Sequence, residues 1–273
     1  MVNFSCLISG YHKDNPNHLV ASLESLAQQT LSASEIVFVE DGNLNDDLYT
    51  ILNKYEKVLP LKRIKLNTNC GLGNALNIGL NACSYELVVR MDTDDICFPT
   101  RFEKQIGFLM QNPEVDIVGS WCIEIDETGY EMKTRKYPTN HEELIKLIWT
   151  CPINHPTVAF RRSRIISIGS YNTSIKRRQD YELWFRAAIR RLKFHNIPEN
   201  LLYYRTSANY YKKNNFEVSW LQVKIGWRGL FKLKVVNPVP YVGVAYPLIR
   251  LIVPNRLKSY VERKVQKMDP RNN

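Results

Sequence analysis

Tyr85-Glu86-Leu87-Val88-Val89-Arg90-Met91-Asp92-Thr93-Asp94-Asp95 is the stretch from which the fold can be read. Leu87-Val88-Val89 is a short apolar run with the β-branched content expected of a buried strand. The run drives into three carboxylates, Asp92, Asp94 and Asp95. Like charges this close at a strand end are costly unless something positive lies between them. A divalent cation meets that need, because hard cations such as Mg²⁺ take oxygen ligands and share them with substrate phosphates. The i, i+2 spacing across a tight turn lets Asp92 and Asp94 reach one ion. The other reading is a solvated acidic turn, with Asp95 capping the helix near Pro99.

On the N-terminal side, apolar runs over residues 4–9 and 35–40 have the same strand character and end in Gly10-Tyr11 and Asp41-Gly42. Residues 18–30 carry Leu19, Leu23, Leu26 and Ala27 on one helical face. Residues 45–55 and 71–82 read as further helices, and 61–66 as a third strand. This alternation predicts a parallel α/β sheet covered on both faces, with ligands collecting at the carboxyl ends of the strands. Gly10-Tyr11, Asp41-Gly42 and Asp92-Thr93-Asp94 all fall there.

Beyond a helix over 100–111 the pattern changes. Residues 116–121 and 124–136 read as strands around the turn Glu127-Thr128-Gly129. Helices are expected over 141–149, 179–192 and 215–234, with a short strand at 158–160. Residues 235–254 are apolar but interrupted by Asn237, Pro238, Pro240, Gly243, Pro247 and Arg250. A bilayer span takes about 20 uninterrupted apolar residues, so one regular spanning helix is excluded here. Arg256, Lys258, Arg263, Lys264, Lys267 and Arg271 follow. An apolar segment beside a basic tail fits either a protein lying on an anionic membrane or a segment docked on its own core.

The chain of 273 residues is 44% apolar and 23% charged, ordinary for a soluble globular protein with a full core. Its net charge of +10 is divided: residues 1–160 sum to −8 and residues 161–273 to +18. The first part suits cations, and the second suits phosphates, nucleic acid or anionic lipid. Six scattered cysteines, without a Cys-x-x-Cys pair, point to reduced thiols rather than a disulfide frame or zinc site. The first residues carry no basic, apolar leader, so a cytoplasmic protein is expected.

Five stretches together resemble family 2 glycosyltransferases of the GT-A fold, the bacterial kind that build O-antigen and exopolysaccharide repeat units. They are Val39-Glu40-Asp41-Gly42, Gly71-Leu72-Gly73-Asn74-Ala75-Leu76-Asn77-Ile78-Gly79, Arg90-Met91-Asp92-Thr93-Asp94-Asp95, Asn154-His155-Pro156-Thr157 and Gln179-Asp180-Tyr181-Glu182-Leu183-Trp184. The resemblance implies a catalytic domain over 1–205, with 1–112 binding the nucleotide-sugar and 113–205 the acceptor. A helical, basic, membrane-associating region would occupy 206–273. It further implies Mn²⁺ or Mg²⁺ on Asp92 and Asp94, Asp41 near the nucleobase, and Tyr11, Gly71, Gly73, Asn74, Asp92 and Thr93 around the donor.

Asp180 matches the second residue of the family's Glu-Asp pair, the general base for the acceptor hydroxyl, although the first is here Gln179. Glu182 lies two residues on, on another part of the helix. His155, Gln179 and Trp184 are candidates for contacts with acceptor or donor sugar, the other readings being a hydrogen-bonded buried histidine for His155 and a core tryptophan for Trp184. Tyr204-Arg205 leads into Thr206-Ser207-Ala208 where many relatives carry a His, so the resemblance carries over no metal ligand from that region. The implied reaction is an inverting transfer of a hexose from a nucleotide-sugar, UDP-linked, to an undecaprenyl-diphosphate-linked saccharide. It would occur at the inner face of the cell membrane, on an anionic membrane surface and without nucleic acid. A sugar nucleotidyltransferase and a non-catalytic nucleic-acid- or membrane-binding protein are the alternatives. The first lacks a Gly-rich, Arg-containing signature after the first strand, and the second leaves Asp92–Asp95 unexplained.

Overall fold

A computed structural model describes residues 2–206 and 216–252. The first half is the expected alternation. Strands β1 (Ser5–Gly10), β2 (Glu35–Glu40), β3 (Leu61–Lys65) and β4 (Leu87–Met91) lie side by side in the order β3-β2-β1-β4, all parallel. Helices α1 (Pro16–Ala27) and α2 (Asp46–Tyr55) cover one face, burying Leu19, Leu23, Leu48 and Leu52 against Phe38 and Ile8. Helix α3 (Leu72–Ala82) covers the other, with Ala75, Leu76 and Leu80 against Leu7, Val37 and Val39. Gly79 permits that approach, since a Cβ there would collide with Leu7 and Val39.

The second half mixes strand directions. A two-residue β5 (Ile96–Cys97) and helix α4 (Arg101–Gln111) precede β6 (Ile117–Ile125), which turns through Asp126–Tyr130 into antiparallel β7 (Glu131–Arg135). Helix α5 (His141–Lys146), two 3-10 turns (Ile148–Thr150 and His155–Thr157), β8 (Ala159–Arg161) and α6 (Arg162–Ser167) follow. Helix α7 (Gln179–Ile189) and β9 (Phe194–Arg205) end this half. β8 lies antiparallel between β4 and β6, β9 runs parallel to β6, and β5 closes the edge antiparallel to β9. One mixed sheet therefore carries both halves.

Beside β5 and α6, which the sequence reading did not include, two strands differ from it. The strand expected over 116–121 continues without a break to Ile125. β9 has no counterpart in that reading, because Pro198 lacks the N–H a central strand needs. The register answers this with a bulge, pairing Ser120 with Ile197 and then Trp121 with Asn200.

Helix α8 (Phe216–Lys232) packs on α7, and α9 (Val239–Ile252) packs on α8. α9 is a helix despite Pro240 in its first turn and Pro247 inside it. Val244 is fully buried, Gly243 fits against the Trp149 ring, and Tyr241 Oη donates to the Val235 carbonyl at 3.0 Å. Of the two readings of the apolar segment, docking on the protein's own core is the one observed for residues 235–252. Among the described residues no helix is long and apolar enough to cross a membrane. The basic residues from Arg256 onward, and Ser207-Ala208, lie outside the described residues.

Candidate active site

Where β1, β2 and β4 end, Gly10, Asp41 and Asp92 come to one edge of the sheet. There a cavity of about 340 Å³ is lined by Tyr11, Asp14, Asp41, Asn69, Gly71, Leu72, Asp92, Thr93 and Asp94, together with Ser9 and Gly10. Of the residues that the resemblance assigned to donor and metal, Tyr11, Asp41, Gly71, Asp92, Thr93 and Asp94 line this one space. Gly73 and Asn74 belong to the first turn of α3 instead and do not line it. Gly73 faces Asn172 and Gln179, and the Asn74 amide donates to the Cys70 carbonyl at 2.8 Å.

Asp41 holds the glycine loop. Its carboxylate accepts the backbone N–H groups of Cys70 (2.6 Å) and Gly71 (3.0 Å). Gly71 there has φ +85°, a left-handed conformation that glycine adopts without strain. The wall of the cavity opposite the acidic strand end is therefore fixed by an aspartate and a glycine acting together.

The acidic end is crowded, as the run of carboxylates in the sequence suggests. Oxygens of Asp92, Asp94 and Asp95 all lie within 4.8 Å of one another. Asp95 is fully buried: one oxygen accepts the Arg205 N–H at 2.8 Å, and Oδ2 has no hydrogen-bond partner. Burial first, then Asp94 and Asp92, hold its carboxyl well above the usual carboxylate range. Asp94 is pushed up to about 7 by desolvation and then by Asp92 and Asp14. A buried oxygen without a partner, beside a second carboxyl that resists ionisation, is the donor set a divalent cation satisfies. The residues fit Mn²⁺ or Mg²⁺.

Asp92 is held differently. The almost fully buried Arg90 grips both its oxygens, with Nη1 at 2.7 Å from Oδ2 and Nη2 on Oδ1. Asp14, which the sequence reading passed over, accepts the Thr93 hydroxyl (2.8 Å) and the Tyr11 N–H (3.1 Å) on one oxygen. Burial raises its carboxyl to about 6, and Asp92 adds to the rise. Its position four residues past β1 was the available signal, by the same strand-end argument applied to Asp41 and Asp92.

Asp14 and Asp94 make the metal-free protein sensitive to pH. Between the unfolded carboxylate pKa of about 4 and folded values of about 6 and 7, the folded state holds protons that the unfolded chain has lost. Folding stability in chelator should fall as pH rises through this window. A melting temperature higher near pH 5 than near pH 8 in chelator, with the difference shrinking in saturating Mg²⁺ or Mn²⁺, is the expected result. A flat profile in chelator would show that these carboxyls ionise normally.

Asp180 stands at the start of α7, partly buried, with the Cys151 thiol at 4.0 Å, and is not a lining residue of the cavity. Tyr171 feels the charge of both Asp180 and Asp92. Burial first raises the Tyr171 hydroxyl, with Asp180 and Asp92 both adding to the rise against Arg90. Tyr171 Oη bonds His155 Nε2 at 2.8 Å, and burial with Arg90 nearby keeps that imidazole neutral. His155 is thus a buried support beneath the site.

Of the two readings of Trp184, a sugar contact or a core tryptophan, the structure has the core tryptophan. It has no exposed surface and packs edge-on to His155 and Phe194, so it has no face to offer a sugar. Gln179 is buried against Gly73, tying α7 to the glycine loop. Glu182 is engaged with Arg186 at 2.7 and 3.0 Å, and Arg186 in turn holds the carbonyls of Ile168 and Ser170.

A family profile, Glycosyl transferase family 2, matches residues 5–169, which include the cavity and the acidic strand end. The chain belongs to glycosyl transferase family 2. This family 2 glycosyltransferase is 37% identical over 270 residues to the amylovoran biosynthesis glycosyltransferase AmsE of Erwinia amylovora, covering 97% of this chain and 99% of that one. It is 28% identical over 265 residues to the UDP-Gal:alpha-D-GlcNAc-diphosphoundecaprenol beta-1,3-galactosyltransferase of Escherichia coli, covering 96% of each. Among solved structures, S. aureus TarS 1-349 in complex with UDP-GlcNAc superposes with a TM-score of 0.70 at 18% identity. That comparison covers 98% of this chain and 76% of TarS 1-349, and it establishes the GT-A fold.

Proposed function

We propose that this glycosyltransferase moves a hexose from a UDP-linked donor to a saccharide carried on undecaprenyl diphosphate, during assembly of an O-antigen or exopolysaccharide repeat unit. The observation that carries the reading is the acidic cavity at the parallel strand ends, lined by Asp92 and Asp94, with the unpartnered buried oxygen of Asp95 beside them. The names of the two curated relatives support the polysaccharide product and the lipid-linked acceptor. Residues 1–112 hold the nucleotide-sugar and residues 113–205 the acceptor. The enzyme works at the inner face of the cell membrane as a peripheral protein.

In this reading Asp92 and Asp94, backed by Asp95, hold Mn²⁺ or Mg²⁺. When bound, the ion supplies positive charge against the departing diphosphate. Asp41 and Gly71 shape the nucleotide side of the cavity, and Tyr11 packs beside the base. Arg90 fixes the Asp92 carboxylate and partly offsets the crowded negative charge. Asp180 takes the proton from the acceptor hydroxyl as that oxygen attacks the anomeric carbon. One displacement on the face opposite the leaving diphosphate inverts the configuration, and no protein nucleophile is required.

Asp94→Asn tests the donor half. Calorimetry of UDP binding with and without Mn²⁺ should show the metal-dependent part of the affinity gone, while the metal-free part stays near that of the parent. Equal metal dependence in variant and parent would overturn the assignment of Asp94.

A further inference from the structure

We infer that one side of α8, continued by the exposed face of α9, is the surface with which this enzyme lies on an anionic phospholipid bilayer. Phe216, Trp220, Trp227 and Phe231 recur at i, i+4, i+11 and i+15, which stacks them along a single side of a helix. All four are exposed, Phe231 to 79%. The buried side of the same helix is distinct: Val218, Ser219, Val223, Gly226, Gly229 and Leu230 face the core, where Gly229 abuts Phe185 and Gly226 abuts Val244. The aromatic stripe is therefore additional to the packing face.

The neighbouring polar strip selects the partner. Lys224, Arg228 and Lys232 follow one another at i, i+4 and i+8 beside the aromatics, and Lys234 stands just past the helix end. All four are exposed, and the Lys224 ammonium lies 5.5 Å from the Trp220 ring. A basic strip alongside a Trp- and Phe-bearing strip is the arrangement of a helix lying in the interface of a negatively charged membrane. The Trp227 indole N–H donates to the Tyr241 carbonyl, which brings α9 to the stripe one residue before exposed Val242. Val239, Val242 and Ile249 share the exposed face of α9, opposite its buried Val244.

The sequence expectation was broader, a membrane-associating region over 206–273 in which the apolar stretch 235–254 and its basic tail lie either on the membrane or on the protein's own core. That stretch gives much of its apolar surface to the core, and the freer aromatic surface belongs to α8. The inference rests on the reading that the acceptor is lipid-linked. It is tested without acceptor or turnover, so either can fail while the other stands.

The experiment is co-sedimentation of the full chain with vesicles of phosphatidylcholine alone or mixed with phosphatidylglycerol. The parent should bind the mixed vesicles, bind phosphatidylcholine weakly, and lose affinity as salt rises. Trp220→Ser with Phe231→Ser should weaken partitioning tenfold or more, consistent with losing two buried aromatic side chains. Charge reversal at Lys224, Arg228 and Lys232 should weaken it on the order of 100-fold. Both variants should keep the parent's melting temperature and UDP binding. Full binding by either variant at an unchanged melting temperature would overturn the proposal. So would a parent that ignores anionic vesicles, and concentration-dependent self-association lost in the Ser variant would instead assign the face to a second copy. Should the double Ser variant fold poorly, Phe231→Ser alone decides, because that side chain is mostly in solvent.

Discussion

Asp180→Asn should lower kcat by about 10²–10⁴-fold, the usual cost of removing a positioned general base. Asparagine keeps the size of the side chain and most of its hydrogen bonding, but it cannot accept the acceptor's proton. Donor affinity should hardly move, because the cavity is built from β1, β2, β4 and the glycine loop, and Asp180 is not among the residues that line it. The melting temperature should also hold, since Asp180 is only partly buried and lies 4.0 Å from the Cys151 thiol. A carboxylate that merely favoured the helix N-terminus would give the opposite pattern, with a loss of about 1 kcal/mol or less in stability and unaltered turnover. Measuring kcat, UDP-sugar affinity and melting temperature on one preparation separates the two. Retained turnover would refute the base assignment. Glu182 could not then take over without breaking its grip on Arg186, which pins the Ile168 and Ser170 carbonyls. The search would turn to Tyr171 and its hydrogen-bonded His155.

The parallel half of the fold was legible because each strand is a short apolar run that stops at a polar loop. Glu35–Glu40 ends at Asp41, and Leu87–Met91 ends at Asp92. Period and punctuation agree there, and the cavity follows from where the chain stops being apolar. The second half was harder for reasons that can be named. β9 contains Pro198 and survives only by a bulge, which sequence pattern cannot foresee. Apolar spacing alone does not say whether Trp184 faces a sugar or the core, and the structure puts it in the core. Asp14 was passed over although it follows β1 by four residues, because its partner Thr93 lies 79 residues on and only folding joins them. Arg90 reads as one more strand residue until the structure shows its guanidinium buried against the carboxylates.

That position gives the second large expected effect. Arg90→Met should destabilise the enzyme by about 3–5 kcal/mol, the range for breaking a buried ion pair by removing one partner. Methionine fills much of the space, so most of the loss is electrostatic. The Asp92 carboxylate loses its counter-ion beside Asp94 and Asp95, whose carboxyls already resist ionisation. For a domain of this size the melting temperature should fall by roughly 6–20 °C. If the pair itself is responsible, Asp92→Asn in the same chain should return part of that loss, because the uncompensated charge is then gone. Losses from the two changes that simply add would mean that Arg90 acts by packing alone. Saturating Mn²⁺ supplies a second readout. A cation bound among the three carboxylates replaces the missing positive charge, so it should raise the melting temperature of Arg90→Met more than that of the parent, and it should do little for Arg90→Met/Asp94→Asn.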